Sequence, residues 1–143
     1  MTEDASAAPE APLVPLDHEA CERLLSATQF GRLAVIESGK PVIVVLNHAL
    51  NGTDVIFRTE KDSRLATLTE GGRVIDAAYE VDSAFPAGRS GWSVIATGKL
   101  ARETDPKRQE TARERIRAWA DGDRDAVFRL EVAALTGVHV GPL

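Results

Sequence analysis

Cations and hydroxyls are concentrated in one short stretch of the sequence, FRTEKDSRL, at residues 57–65. Its cations are Arg58, Lys61 and Arg64, spaced three residues apart, and Thr59 and Ser63 lie between them. Guanidinium groups match phosphate oxygens in pairs, and the free N–H groups at the start of a helix add further donors and a favourable dipole. If the stretch ends a strand and begins a helix, it has the donors of a phosphate-binding cradle.

The same stretch has a second interpretation. Glu60 and Asp62 alternate with the cations and could pair with them, which would give an exposed turn of mixed charge. Local chemistry alone leaves both interpretations open. Asp62 matters most to the choice, because it places a carboxylate beside any bound phosphate unless it turns away to cap the helix.

Other kinds of chemistry have little support in the sequence. His18, His48 and His139 are far apart and form no metal-ligand spacing, while Ser93 lacks the G-x-S-x-G motif of a nucleophile elbow. Neither a dinucleotide-binding nor a P-loop glycine motif occurs. Cys21 is the only cysteine, so no intrachain disulfide can form, and its apolar neighbours indicate a core position. We expect no metal site and no catalytic side chain.

Composition narrows the class of protein. The chain has 143 residues, of which 43% are hydrophobic, and this suits a single domain that buries a real core. Its formal charge of -5 argues against a nucleic-acid groove or an anionic membrane as partner. No apolar run approaches the roughly 20 residues of a membrane helix, and the N-terminus lacks a signal-peptide pattern. We therefore expect a cytoplasmic protein with a disordered tail at 1–15 and one domain at 16–143.

Periodicity and turn residues predict the elements that position the cation-rich stretch. Asp17 caps a first helix, a short helix spans 63–70, and a third helix runs from Asp105 to about Trp119. Strands are predicted at 30–38, 41–50, 53–59, 73–82 and 92–104, and a last alternating strand follows residue 125. A short hairpin turn is predicted at Ser38-Gly39-Lys40, Asn51–Gly52 is the strongest signal for a type I′ hairpin turn, and Gly98 indicates a bulge or a bend. This order predicts a mainly β fold, a small closed antiparallel barrel with peripheral helices.

Five motifs in order give the chain a resemblance to a known family. They are GRLAV at 31–35, PVIVVLN at 41–47, VIFRTEKDSRL at 55–65, AYEVD at 78–82 and GWSVIATGKLARETD at 91–105. With these motifs the chain resembles the pyridoxamine 5′-phosphate oxidase-like flavin proteins, and the likeness covers about residues 16–140. The resemblance implies a six-stranded antiparallel split barrel of the FMN-binding type. It also implies a homodimer with the cofactor at the interface.

The resemblance assigns roles to individual residues. It implies that the FMN phosphate is held by the cation-rich stretch, and that the isoalloxazine edge lies along the second strand. Residues that open the fifth strand lie near the dimer cleft, where packing is the expected role of the tryptophan. The implied cofactor-binding residues are Arg58, Thr59, Lys61, Ser63 and Arg64 in the stretch, Val45, Leu46 and Asn47 on the second strand, and Trp92 and Ser93 on the fifth.

The function implied by the resemblance is that of an FMN-dependent oxidoreductase acting on an unidentified small substrate. Oxidation of pyridoxamine phosphate itself is not expected, because the sequence ends at Leu143 without the longer C-terminal segment of the authentic oxidases. A reductase that uses the deazaflavin coenzyme F420 on the same barrel is one alternative. A non-catalytic flavin carrier or sensor is another.

Overall fold

One antiparallel sheet contains most of the chain. The structure, a computed structural model, describes residues 10–117 and 125–143. Its strands are β1 (Leu13–Pro15), β2 (Phe30–Glu37), β3 (Lys40–Asn51), β4 (Asp54–Thr59), β5 (Ile75–Phe85), β6 (Ser90–Arg102) and β7 (Ala126–Val140). Its helices are α1 (His18–Ala27), α2 (Arg64–Leu68) and α3 (Pro106–Arg115), with 3₁₀ turns at Glu70–Gly72 and Pro86–Gly88. No helix in these two ranges is long and apolar enough to span a membrane.

Six of these strands form a ring. They are hydrogen-bonded in the order β7-β4-β3-β2-β5-β6, and β6 pairs again with β7. The predicted mainly β, six-stranded antiparallel barrel is therefore confirmed. β1 adds a short seventh strand on β7, where Leu13 lies opposite Val140 and Pro15 opposite Val138. This differs from the expectation that residues 13–15 belong to a disordered tail, because backbone pairing with β7 orders them.

A bulge at Gly98 bends the β6–β7 pair. Thr97 lies opposite Ala134 but Gly98 lies opposite Val132, so one residue of β7 has no partner. A Cβ atom on Gly98 would overlap the backbone carbonyl oxygen of Glu131, which explains why glycine is needed there. The bulge predicted from Gly98 is confirmed.

The inner faces of the strands and two helices form one core. α1 contributes Cys21 and Leu25 and begins as predicted, with the Asp17 carboxylate accepting a hydrogen bond of 2.8 Å from the N–H of Ala20. α2 contributes Leu65. The largest buried side chains of the barrel interior are Tyr79, Phe57, Phe128, Leu33, Leu100 and Leu130. A second cluster of Ile56, Val127, Ala112 and Ile116 fixes α3 to the outside of the barrel, over β4 and β7.

Two predicted boundaries and one turn differ from the structure. α3 ends at Arg115, because Ile116 is extended (φ -106°, ψ 111°); the predicted end at Trp119 lies outside the described residues. α2 is shorter than predicted, because its last turn tightens into the 3₁₀ turn. The paired positive φ angles of a type I′ turn occur at Ser38 and Gly39 rather than at Asn51–Gly52, where Gly52 alone has positive φ.

A buried polar pair connects the core to α1. His48 is 5% exposed; its Nδ1 lies 2.6 Å from the Tyr79 hydroxyl and its Nε2 lies 3.0 Å from the carbonyl oxygen of Leu25. A carbonyl only accepts, so Nε2 carries the proton, and the Tyr79 hydroxyl shares its one proton between Nδ1 and the carbonyl oxygen of Leu46, which lies 3.2 Å away. Burial lowers the pKa of His48 below its usual 6.5, although the hydrogen bond to Leu25 opposes the shift. The folded protein therefore holds a neutral imidazole at this position.

Replacing His48 should remove part of the acid sensitivity of the fold. In the unfolded chain His48 takes up a proton below about pH 6.5, whereas in the folded chain it stays neutral to lower pH. The free energy of unfolding should thus fall below about pH 6.5, by up to about 1.4 kcal/mol per pH unit from this group. Urea unfolding at several pH values should show a shallower decline in H48Q than in the wild type. Equal slopes in the two proteins would contradict this.

A side chain at residue 98 should be poorly tolerated. G98A must displace the backbone of Glu131 or the bulge itself, and overpacking of this kind costs about 1–3 kcal/mol. G88A is the matched control, because a Cβ atom on Gly88 meets nothing closer than the Ser90 hydroxyl at 3.6 Å. Thermal unfolding should show a clear loss for G98A and little change for G88A; equal melting temperatures would count against the bulge geometry.

Candidate functional site

The connection from β4 to α2 has the strand-to-helix form that a cradle requires. Thr59 ends β4 with a buried side chain, and Ser63 caps α2 by accepting a hydrogen bond of 3.3 Å from the N–H of Ala66. The cap is therefore Ser63 and not Asp62. Capping uses the oxygen of Ser63 as an acceptor, so its O–H remains available as a donor.

Arg64 lies at the start of α2, next to the turn that joins β2 and β3. Its Nε lies 3.1 Å from the Glu37 carboxylate. Both side chains are partly exposed, at 47% and 33%, so the pair is screened by solvent and contributes little to stability. A ligand with a stronger charge could take the place of Glu37 at low cost.

Arg58 has a different environment from that of Arg64. Strand alternation directs its side chain to the outside of the barrel, on the same side of β4 as Ile56 and on the other side from the buried Thr59. Its Nη1 donates a hydrogen bond of 2.7 Å to the carbonyl oxygen of Ile116, just after the end of α3. A cation is favourable at a helix C-terminus, so Arg58 helps to hold α3 on the barrel. The structure thus directs the two arginines of the stretch to different protein acceptors.

A cavity of about 500 Å³ lies beside the same connection. Lys61 and Asp62 line one side, Glu70 and the glycines of the first 3₁₀ turn line another, and Arg102 and Thr104 follow from the end of β6. Lys61 and Arg102 thus bring cations to one cavity from two distant parts of the sequence. Sequence reasoning missed Arg102, because only the barrel topology brings the end of β6 next to α2.

The three predicted residues of β3 do not share one face. Val45 and Asn47 point outwards, and Val45 is 63% exposed. Leu46 points into the core, and its carbonyl oxygen lies 3.2 Å from the Tyr79 hydroxyl. Asn47 lines a cavity of about 280 Å³ with Gln29, His48 and the residues 114–117 that follow α3. Outer side chains of β3 are therefore available to a ligand, whereas the Leu46 side chain is not.

Trp92 and Ser93 lie near the start of β6 and line a third cavity, of about 440 Å³. Trp92 is partly buried and packs against the core, as expected for a packing role. The cavity is also lined by Glu80 and Asp82 of β5, two carboxylates that sequence reasoning missed. Their E-x-D spacing places both carboxylates on one face of a strand, and this spacing is the sequence signal that could have identified them.

Arg32 connects the two carboxylates. Its Nη2 lies 2.6 Å from Asp82 Oδ2 and its Nε lies 3.3 Å from Glu80 Oε1. Desolvation, followed by the hydrogen bond and negative charge of Asp82, raises the pKa of Glu80 to about 7, although Arg32 opposes the shift. Within residues 10–117 and 125–143, no group of three or more His, Cys, Asp and Glu side chains could hold a metal ion.

The ring of six antiparallel strands, with α1 and α2 packed into its core, defines a split barrel. The model of the family described as pyridoxamine 5′-phosphate oxidase matches residues 17–139, so the chain belongs to this family. It is 28% identical over 130 residues to the uncharacterised protein Rv0080 of Mycobacterium tuberculosis, covering 90% of this chain and 86% of that protein.

Two solved structures illustrate how widely the fold is shared. An FAD-binding protein from Mycobacterium smegmatis superposes with a TM-score of 0.73 at 20% identity, covering 89% of this chain and 98% of its own. An FAD-binding protein from Mesorhizobium loti also has a TM-score of 0.73, at 19% identity, with 90% of this chain and 99% of its own covered. At these identities the likeness shows a common fold.

Proposed function

We propose that this protein is an FMN-binding oxidoreductase that acts on a small substrate as a homodimer. Its family membership and the FAD-binding proteins among its structural neighbours support a flavin nucleotide as cofactor. The observation that carries the proposal is the Ser63–Arg64 pair at the start of α2. This pair lies in the stretch that, according to the resemblance, binds the FMN phosphate. The reaction and substrate are proposals of the same kind.

The residues present fit a phosphate group at this position, with one exception: Asp62 does not cap α2 and leaves a carboxylate nearby. The Ser63 hydroxyl can donate, Lys61 and Arg64 carry positive charge, and the partner of Arg64 is a half-exposed carboxylate that a phosphate can replace. Bound flavin supplies the electron-transfer chemistry. The chain would supply binding and orientation: the cations would hold the phosphate, and the outer side chains of Val45 and Asn47 would lie along the ring system.

Two other cofactors and one non-catalytic function are the alternatives. FAD is favoured by the two structural neighbours, which bind FAD, and the cavity beside the same connection, where Arg102 lies, offers space for a longer nucleotide. Coenzyme F420 on the same barrel would make the protein a deazaflavin-dependent reductase. Flavin binding without turnover would make it a carrier or sensor.

The purified protein should be yellow and should release FMN on denaturation. An absorption spectrum followed by chromatography of the released compound distinguishes FMN, FAD and coenzyme F420 directly. A colourless protein that takes up no flavin at micromolar concentration would rule out the proposal. Bound FMN that no reductant and acceptor pair can cycle would favour the carrier.

Arg64 should contribute to FMN affinity without contributing much to stability. R64A removes a charge-assisted hydrogen bond to phosphate and should weaken FMN binding by about 1.5–3 kcal/mol, whereas its melting temperature should hardly change. R113A, which removes another partly exposed arginine, is the control with unchanged affinity. Fluorescence titration of FMN and thermal unfolding measure the two quantities.

Arg58 should differ from Arg64 in the same experiment. R58A should lower the melting temperature, because it removes the hydrogen bond to Ile116. It should also weaken FMN binding if Arg58 contacts the phosphate, as the resemblance implies. If R64A kept the wild-type FMN affinity, the phosphate would have to bind somewhere other than the start of α2. Wild-type affinity in R58A would leave Arg58 with its role at α3 alone.

The outer surface of the barrel supports the homodimer. Its exposed large apolar residues include Phe30, Ile36, Ile43, Val45 and Ile95, which are 41–67% exposed. All five point outwards from neighbouring strands. A surface of this kind in a water-exposed sheet is typical of an interface with another protein.

A further inference from the structure

The outer sides of β3, β2, β5 and β6 form one continuous surface, which we name the outer face. Cross-strand pairs define its rows, because residues directly opposite in an antiparallel sheet share a side. One row runs Val45–Arg32–Glu80–Ile95, and the next runs Ile43–Ala34–Ala78–Thr97. The face is therefore apolar at its sides and carries an Arg32–Glu80 pair at its centre.

A second copy of this chain is the occupant that the outer face fits. Four strands at about 4.8 Å spacing and four outward positions along each give about 500 Å² per copy. Two copies together would bury about 1,000 Å², which is the size that a specific interface needs. Its charges are also close to balanced: Arg32 and Lys99 face Asp76, Glu80 and Asp82, which leaves one net negative charge.

That remaining negative charge lies in the middle of the face. Asp82 takes the short contact with Arg32, at 2.6 Å, and Glu80 takes the longer one, at 3.3 Å. Glu80 Oε1 is buried and, apart from its ion pair with Arg32, has no hydrogen-bond partner, although the residue as a whole is partly exposed. Covering the face with a second copy would bury two unneutralised charges against each other, which is costly.

We propose that dimer formation through the outer face is linked to proton uptake by the Glu80 carboxyl of each copy. This inference rests on the homodimer of the proposed function. Protonation of Glu80 neutralises the outer face of each copy, and its neutral carboxyl can donate a hydrogen bond to Asp82. The monomer holds this group ready to titrate near neutral pH, because burial and Asp82 have already raised its pKa to about 7.

Glu80 has charged neighbours on two strands. On its own strand it faces Asp82, and on β2 it faces the guanidinium of Arg32. Across β6 its direct neighbour is Ile95, which does not titrate. The third cavity also contains Arg89 and His139, and the His139 ring is hydrogen-bonded to the carbonyl oxygen of Gly141.

Sedimentation equilibrium of the full chain at pH 6, 7 and 8, at constant ionic strength, tests the linkage. Burial in the dimer raises the pKa of Glu80 further, so the dimer is favoured at low pH and weakened as the pH rises above 7. The dimer dissociation constant should increase at least about tenfold from pH 6 to pH 8, since each copy must take up a proton.

Two variants of β5 make the test specific to Glu80. E80Q has a permanently neutral side chain, so its dissociation constant should stay near the wild-type pH 6 value throughout. D76N is the matched control: it removes a carboxylate from the same strand and face, at a residue exposed beside Lys99, and should keep the wild-type pH dependence. Calorimetric dilution of the wild-type dimer in two buffers with different ionisation enthalpies counts the protons released without any substitution.

The possible results separate the linkage from the dimer. A wild-type dimer of equal strength at pH 6 and pH 8, with no proton release on dilution, overturns the linkage but leaves the homodimer standing. Persistence of the wild-type pH dependence in E80Q also overturns it. A monomer at every pH and at high concentration overturns the proposed homodimer, and the linkage with it.

Discussion

The pairing of β6 with β7 is the constraint on which the rest of the structure depends. It runs from Gly91–Val140 to Arg102–Phe128 and closes the ring. The bulge at Gly98 lets β7 change sides, so that Phe128 and Leu130 point inwards below it and Leu135 points inwards above it. Without the extra residue, one half of β7 would turn its apolar side chains to solvent. Ring closure also sets the distance between β6 and α2, and thereby brings Arg102 to the cavity that Lys61 lines.

Local signals in the sequence predicted most of the elements, because caps and glycines act over a few residues. Asp17, Ser63 and Asp105 each accept a backbone N–H at the start of a helix. Strand register and long-range pairing were harder to anticipate. The type I′ turn formed at Ser38–Gly39 instead of at Asn51–Gly52, because the pairing of Asn51 with Asp54 moves the second turn by one residue. Likewise, pairing of β1 with β7 ordered residues that by composition belong to a tail.

The candidate site shows the same division between local and non-local information. The spacing of Arg58, Ser63 and Arg64 could be read from the sequence, as could the strand-to-helix change between them. The direction of each side chain could not, because it depends on contacts far along the chain. Arg58 lies beneath α3, which comes more than forty residues later, and Arg64 pairs with Glu37 of β2. Strand alternation also separates Leu46 from Val45 and Asn47, although the three are consecutive.

The composition of β2 and β3 connects the barrel to the outer face. A strand with one wet side should alternate apolar and polar residues, yet VIVVL at 42–46 is apolar on both sides. Inward residues of β2 and β3 account for half of this pattern, and Ile36, Ile43 and Val45 remain exposed on the other side. Apolar side chains on the water side of a sheet gain no burial free energy unless another surface covers them. The charges at the centre of that side then decide the conditions under which it can be covered, because a buried carboxylate must be paired or protonated.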